Sequence, residues 1–266
     1  MRRSSWMVIV LALVAIGGCM LLTRQPSTVT SIHLTLGNPS NASASTPDNY
    51  LIEKPQYALS YNSTQRIPNW SSWQLNASWL GNVPRRNDFR PDETLPQGWY
   101  RVTPTDYNGS RFDRGHMTPS ADRTSTPEAN SATFLMTNIL PQAPDNNQGP
   151  WARLEDYCRD LVKQGKELYI VSGGAGRKRT LRTGVVAPAS VWKVIVVMDR
   201  PGLGLVGITE KTRTIAVTLP NSQGIREQDW RTFQVSIDAI ESATGYNFLS
   251  NVPESVQAVL ESRVDR

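Results

Sequence analysis

The chain has 266 residues, 39% hydrophobic and 19% charged, with 18 glycines and 18 prolines, a turn-rich globular composition that excludes disorder, collagen and coiled coil. Two cysteines exclude a disulfide framework or a cysteine-based zinc site, and two histidines, His33 and His116, exclude a histidine-rich metal site. A formal charge of +5 favours an anionic partner, nucleic acid or membrane surface, without choosing between them.

Residues 1–26 read as an export signal. Arg2 and Arg3 open it, Trp6 to Ile16 is an uncharged apolar run, and Gly17-Gly18-Cys19 sets small residues before a cysteine. The stretch resembles the signal of bacterial lipoproteins, in which cleavage precedes a cysteine that then carries lipid. An ordinary cleaved signal and a short uncleaved anchor are the alternatives. The expectation is an exported protein, periplasmic, extracellular or membrane-anchored through Cys19. With Cys19 so used, Cys158 has no partner and reads as a small buried hydrophobe in a helix.

Residues 27–49, rich in Ser, Thr, Asn and Pro, read as a linker, and 50–266 as a single domain without internal repeats. Within it, Ala132 to Met136, Leu168 to Ser172, Val191 to Met198 and Thr214 to Leu219 are strand-like, rich in β-branched residues and bounded by turn formers. Trp151, Leu154, Cys158 and Leu161 recur at helical spacing, with Pro150 at a first helical position. Ser236 to Thr244, ended by Gly245, and Pro253 to Val264 also predict helices. Strands and helices do not alternate strictly, so the fold class expected is α+β.

The sharpest motif is Asp113-Arg114-Gly115-His116. It sets a histidine beside a glycine that permits close backbone approach and an arginine able to fork onto phosphate. Asn138-Ile-Leu-Pro-Gln142 follows, then a stretch from Asp145 to Glu155 that includes Asn147. Each piece alone is ordinary; the order and spacing together are specific.

These residues resemble the DNA/RNA non-specific endonucleases, a family of secreted bacterial nucleases that includes mitochondrial endonuclease G. The resemblance runs from about Tyr50 to the C-terminus. Phe89-Arg-Pro-Asp92, Ala121-Asp-Arg123 and Leu154-Glu-Asp-Tyr-Cys158 look most like the cyanobacterial branch. It implies a central antiparallel sheet flanked by helices with a ββα-metal active-site motif, and hydrolysis of DNA and RNA to 5′-phosphate products. It also implies Asn147 as the direct ligand of one Mg²⁺ ion, Mn²⁺ being a substitute, and Glu155 as holder of the waters around that ion. Asn138 would orient these groups from one layer back. An arginine about thirty residues before the histidine would meet the transition-state charge; Arg85 fits best, with Arg86 second, and Arg114 is a further phosphate-facing candidate. Such an enzyme is toxic inside a cell, which leaves room for a protein inhibitor.

The chemistry also follows from the residue types. Phosphodiester hydrolysis needs an activated water, stabilised non-bridging oxygens and a proton for the leaving oxygen. A neutral His116 can take the water's proton. A Mg²⁺ ion takes few protein ligands and prefers oxygen, as the Asn147 carbonyl offers. In a continuous helix the eight residues from Asn147 to Glu155 would leave their side chains about 80° apart.

Other signals weigh less. Ser172-Gly-Gly-Ala-Gly176 lacks the ending of a phosphate loop and reads as a turn. Its neighbours Arg177, Lys178, Arg179 and Arg182 could still track nucleic-acid backbone. Trp70, Trp73 and Trp79 suit core packing better than a sugar-binding surface. No Gly-x-Ser-x-Gly elbow supports serine hydrolysis.

Overall fold

The computed structural model describes residues 31–265. The proposed signal, including Cys19, lies outside the described residues. A six-stranded antiparallel sheet forms the centre, in the order β1 (Tyr50–Lys54), β2 (Tyr57–Asn62), β3 (Ile67–Leu75), β6 (Glu167–Ala175), β9 (Ser190–Met198), β10 (Arg213–Pro220). Between β3 and β6 the chain makes a second, two-stranded unit from β4 (Asp113–His116) and β5 (Ile139–Gln142), with α1 (Pro127–Ala132) in the connection. A short α2 (Pro144–Asn146) then leads through an irregular turn to α3 (Ala152–Lys163). The small hairpin β7 (Arg179–Thr180) and β8 (Val186–Ala187) follows β6, and α4 (Ile237–Thr244) and α5 (Glu254–Glu261) close the chain. The arrangement is α+β, as expected.

Both faces of the sheet are covered, which explains why its central strands are almost continuously apolar rather than alternating. Leu168 and Ile170 on β6, Ile195 and Val197 on β9, and Ile215 and Val217 on β10 face one core, which receives Trp151, Leu154, Cys158 and Leu161 from α3 and its lead-in. Tyr169, Val171, Val194, Val196 and Ala216 face the other, covered by Ile237, Ile240, Leu260 and the N-terminal Leu34, Leu36 and Ala42. Trp70 and Trp73, three residues apart on β3, are buried in opposite cores. Burial of Cys158 pushes its thiol up to about 12, as suits an inert core residue.

Four expectations are corrected. Residues 31–49 are not a free linker: Leu34, Leu36 and Ala42 are core residues. Ser72 Oγ donates to the His33 carbonyl at 2.6 Å. Ala132 to Met136 is not a strand but the end of α1 and the turns after it. Thr133, Phe134 and Leu135 donate their amides back to Asn130, Ser131 and Ala132. Its apolar residues serve packing rather than pairing, Phe134 lying edge-on to Phe89 and His116. Gly173 and Gly174 belong to β6 rather than to a turn. A Cβ on Gly173 would lie 2.3 Å from the Asn69 carbonyl oxygen, so close strand approach demands glycine there. Pro150 sits in the irregular turn, and α3 begins at Ala152. The C-terminal helices form where expected, α4 capped by Ser236 Oγ on the Ala239 amide and ended by Gly245 at φ +74°.

Candidate active site

The site lies where β4, β5 and α3 meet. In the β4–β5 pair, Asp113 faces Gln142 and His116 faces Ile139. Gly115 is forced by its neighbour: a Cβ there would come within 2.2 Å of Gln142 Oε1. Asn138 secures the chain just beyond His116. Its Oδ1 accepts the Thr118 amide at 3.0 Å and its Nδ2 donates to the Thr118 and Thr133 carbonyls at 2.9 Å. Asn138 is fully buried. It therefore holds main chain around the histidine rather than touching Asn147 or Glu155.

His116 is 8% exposed, its ring centroid 5.3 Å from that of Phe89 and 4.8 Å from that of Phe134. Its Nε2 is buried without a hydrogen-bond partner. Burial, then the charges of Arg85 and Arg114, lower its pKa from 6.5 to about 3, so the imidazole is neutral across the physiological range. The two arginines are held in place by aromatic faces. Arg85 sits 4.8 Å over Phe134 and donates to Ser120 Oγ at 2.8 Å; Arg114 sits 4.2 Å over Phe89. Arg86 instead uses its backbone amide on Asn130 Oδ1, and its side chain is exposed.

An open pocket of ≈ 500 Å³ is lined by Arg85, Phe89, Arg111, Asp113, Arg114 and Asn147, among others. The Nδ2 of Asn147 donates to Asp113 Oδ2 at 2.9 Å, and Gln148 Nε2 donates to the same oxygen at 2.8 Å. A carboxylate only accepts, so the amide of Asn147 is oriented and its carbonyl oxygen is the end left for a cation. Asn147 does not precede Glu155 on one regular helix, as the 80° estimate assumed. Gly149, at φ −108° and ψ −117°, breaks the turn between them because Arg226 packs 2.7 Å from where its Cβ would be.

Glu155, on the first turn of α3, pairs with Lys193 Nζ at 3.5 Å. Lys193 is 1% exposed and lies 4.1 Å over the Trp151 ring. Burial raises the Glu155 pKa, opposed by the charges of Lys193 and Arg159. Arg159 is itself clamped by Asp122 at 2.9 Å. The charge of Glu155 is felt by Arg85, whose own charge acts on His116. The structure thus brings together His116, Arg85, Arg114 and Asn147, sets Asn138 behind them, and leaves Glu155 paired with Lys193, its charge still acting on Arg85. For a hard cation the donor set fits: one oriented amide oxygen, a nearby carboxylate and no soft ligand.

Three contributors escaped the sequence reading: Asp113 as anchor of Asn147, Ser120 as anchor of Arg85, and Lys193 as partner of Glu155. Lys193 carried a signal, a lone charge inside the apolar run Val191 to Met198. The other two carried none, because their partners lie 34 and 35 residues away.

A family model described as DNA/RNA non-specific endonuclease matches residues 37–255. The chain belongs to that family. It is 59% identical over 238 residues to a nuclease of Nostoc sp., covering 88% of this chain and 86% of that one. To the nuclease of Serratia marcescens it is 30% identical over 239 residues, covering 86% and 84%. The fold matches a chain in a solved EndoG/EndoGI complex with a TM-score of 0.68 at 24% identity, over 83% of this chain and 91% of the other. The protein is accordingly an endonuclease acting on nucleic acids, with the ββα-metal nuclease fold.

Proposed function

We propose that the protein is an exported, Mg²⁺-dependent endonuclease that hydrolyses DNA and RNA to 5′-phosphate products with little regard for sequence or sugar. The observation that carries this reading is the buried, unpartnered His116 set between two ring-stacked arginines, beside a pocket to which Asn147 contributes an oriented amide oxygen.

The phosphodiester binds with its non-bridging oxygens on Arg85 and Arg114, whose stacked guanidiniums hold a fixed donor geometry for the pentacovalent transition state. The same two charges depress the histidine, so an anionic phosphate that neutralises them raises the His116 pKa toward the range of an effective base. His116 then takes a proton from the attacking water, the P–O3′ bond breaks to leave the 5′-phosphate, and the departing 3′ oxygen takes a proton from a second water at the site to become the 3′-hydroxyl. Asn147 would hold a Mg²⁺ ion and Glu155 the waters around it, and the ion would supply Lewis-acid stabilisation of the phosphate. Low selectivity follows because these contacts go to phosphate, which carries no sequence information.

Export rests on the character of residues 1–26, with Cys19 as a membrane anchor, and the pocket lined by Arg85 and Arg114 offers a surface for a protein inhibitor. The test is digestion of DNA and RNA oligonucleotides of one sequence, with Mg²⁺ and with EDTA, followed by end-group analysis. Metal-dependent cutting of both to 5′-phosphate ends is expected. Cutting of one polymer alone, or 3′-phosphate ends, refutes the reading.

A further inference from the structure

On the sheet face away from the active site, α4 and α5 gather three carboxylates. One oxygen from each of Asp238, Glu241 and Glu261 lies within 4.8 Å of the others. Asp238 is exposed, Glu241 half-buried and Glu261 only 7% exposed, so the cluster runs from solvent inward. Among the described residues none of the three takes part in an ion pair. Glu241 Oε1 accepts the Phe248 amide at 2.9 Å, which leaves its second oxygen. The Glu261 carboxylate takes the Leu249 amide, and its Oε1 is buried with no hydrogen-bond partner.

A buried carboxylate oxygen with no donor, beside two like charges, is unfavourable unless a positive group joins it. We propose that Asp238, Glu241 and Glu261 form a binding site for a hard divalent cation of the Ca²⁺ class, separate from the Asn147 site. The donor set is all oxygen. Ca–O distances of about 2.3–2.6 Å let ligand oxygens on one ion stand up to about 5 Å apart, and Ca²⁺ accepts several carboxylates at once. Mg²⁺ keeps more of its water and uses one or two carboxylates. Protons compete for the same oxygens: burial, then Glu241 and Asp238, push Glu261 up to about 7.

The ion's role is structural. It ties α4 to α5, and the connection between them holds the N-terminal segment. The Asn247 amide donates to the Pro39 carbonyl at 2.9 Å and the Asn251 amide to that of Leu36 at 3.1 Å. Bridging the two helices stiffens that clasp.

The test titrates Ca²⁺ into the full-length Asn147→Ala protein at pH 7.5, so that the active site does not contribute, and reads binding by calorimetry and Tm by melting. One site with a Kd of about 0.1–1 mM is expected. Tm rises about 3–6 °C at tenfold the Kd. Adding Glu261→Gln abolishes both signals. Adding Asp238→Asn, at an exposed position that leaves folding intact, weakens binding roughly tenfold, as loss of one charged ligand requires. Glu261→Gln in the otherwise native protein keeps its Mg²⁺-supported nuclease activity. Absence of Ca²⁺ binding, or binding unchanged by Asp238→Asn, overturns the proposal.

Discussion

The Asp113 carboxylate and the Asn147 amide are joined at 2.9 Å across the gap between β4 and the turn before α3. The motif that carries the histidine therefore also orients the residue proposed to hold the metal. Asp113→Ala frees that amide while leaving its oxygen in place. The concentration of Mg²⁺ giving half-maximal activity should rise about 10–100-fold, the usual cost of losing an outer partner of a ligand. Saturating Mg²⁺ should restore much of kcat. A loss of activity that no Mg²⁺ concentration relieves would show that Asp113 acts otherwise.

Gly115→Ala tests how closely β4 and β5 must approach. The new methyl meets Gln142 Oε1 at 2.2 Å and Gln142 Cβ at 2.7 Å. Gln142 Nε2 in turn donates to Asn146 Oδ1 at 2.7 Å, directly before Asn147. The substitution should cost about 1–3 kcal/mol of stability by overpacking and reduce activity well beyond that fraction unfolded. Denaturant unfolding and kcat, measured on the same sample, check both.

Lys193 and Glu155 are a buried pair, so removing one strands the other. Lys193→Met should destabilise by about 3–5 kcal/mol. Lys193→Met combined with Glu155→Gln should regain most of that stability yet remain inactive. A double variant as unstable as the single one would mean that Lys193 matters by packing on Trp151 alone.

The fold was legible where a single physical rule acts locally. The apolar β-branched runs marked β6, β9 and β10, and the 3–4 spacing of Leu154, Cys158 and Leu161 marked α3. The early strands were harder, because β2 and β3 carry Ser60, Ser71, Ser72 and Asn62 inside, and Ser71 and Ser72 are satisfied by Thr118 and His33, both distant in the chain. Residues 31–49 look like a tether by composition, yet a few buried aliphatics anchor them. At the site, residue types and order indicated His116, while Arg85 and the ligand role of Asn147 came from the family resemblance. The break at Gly149 was not legible, since it depends on the Arg226 backbone passing close by.

His33 makes stability depend on pH. Its Nδ1 accepts the Gln74 amide at 3.1 Å, and its Nε2 donates to the Pro55 carbonyl at 2.9 Å, an arrangement that requires the neutral ring. Burial, and more weakly Arg123, lower its pKa from 6.5 to about 4, opposed by the bond to Pro55. Between those values the unfolded chain binds the proton and the folded one does not. The contribution is fully present above pH 6.5 and is lost as pH falls through 4, at most about 3 kcal/mol. His33→Gln should be less stable at pH 7.5 and show a shallower loss between pH 6.5 and 4. An unchanged slope would remove His33 from the acid response.

The measurement that tests the account most directly is cleavage of plasmid DNA and of RNA by the native protein and by His116→Ala, at saturating Mg²⁺ and across pH 5–9. The account predicts that His116→Ala loses about 10²–10⁴-fold in kcat on both polymers while still binding them, since a positioned base is worth that much. It also predicts that kcat/KM, set by the free enzyme, shows no acid limb across pH 5–9, whereas kcat, set by the phosphate-bound state, falls toward the acid end. A His116→Ala protein that cuts both polymers at native rates would contradict it.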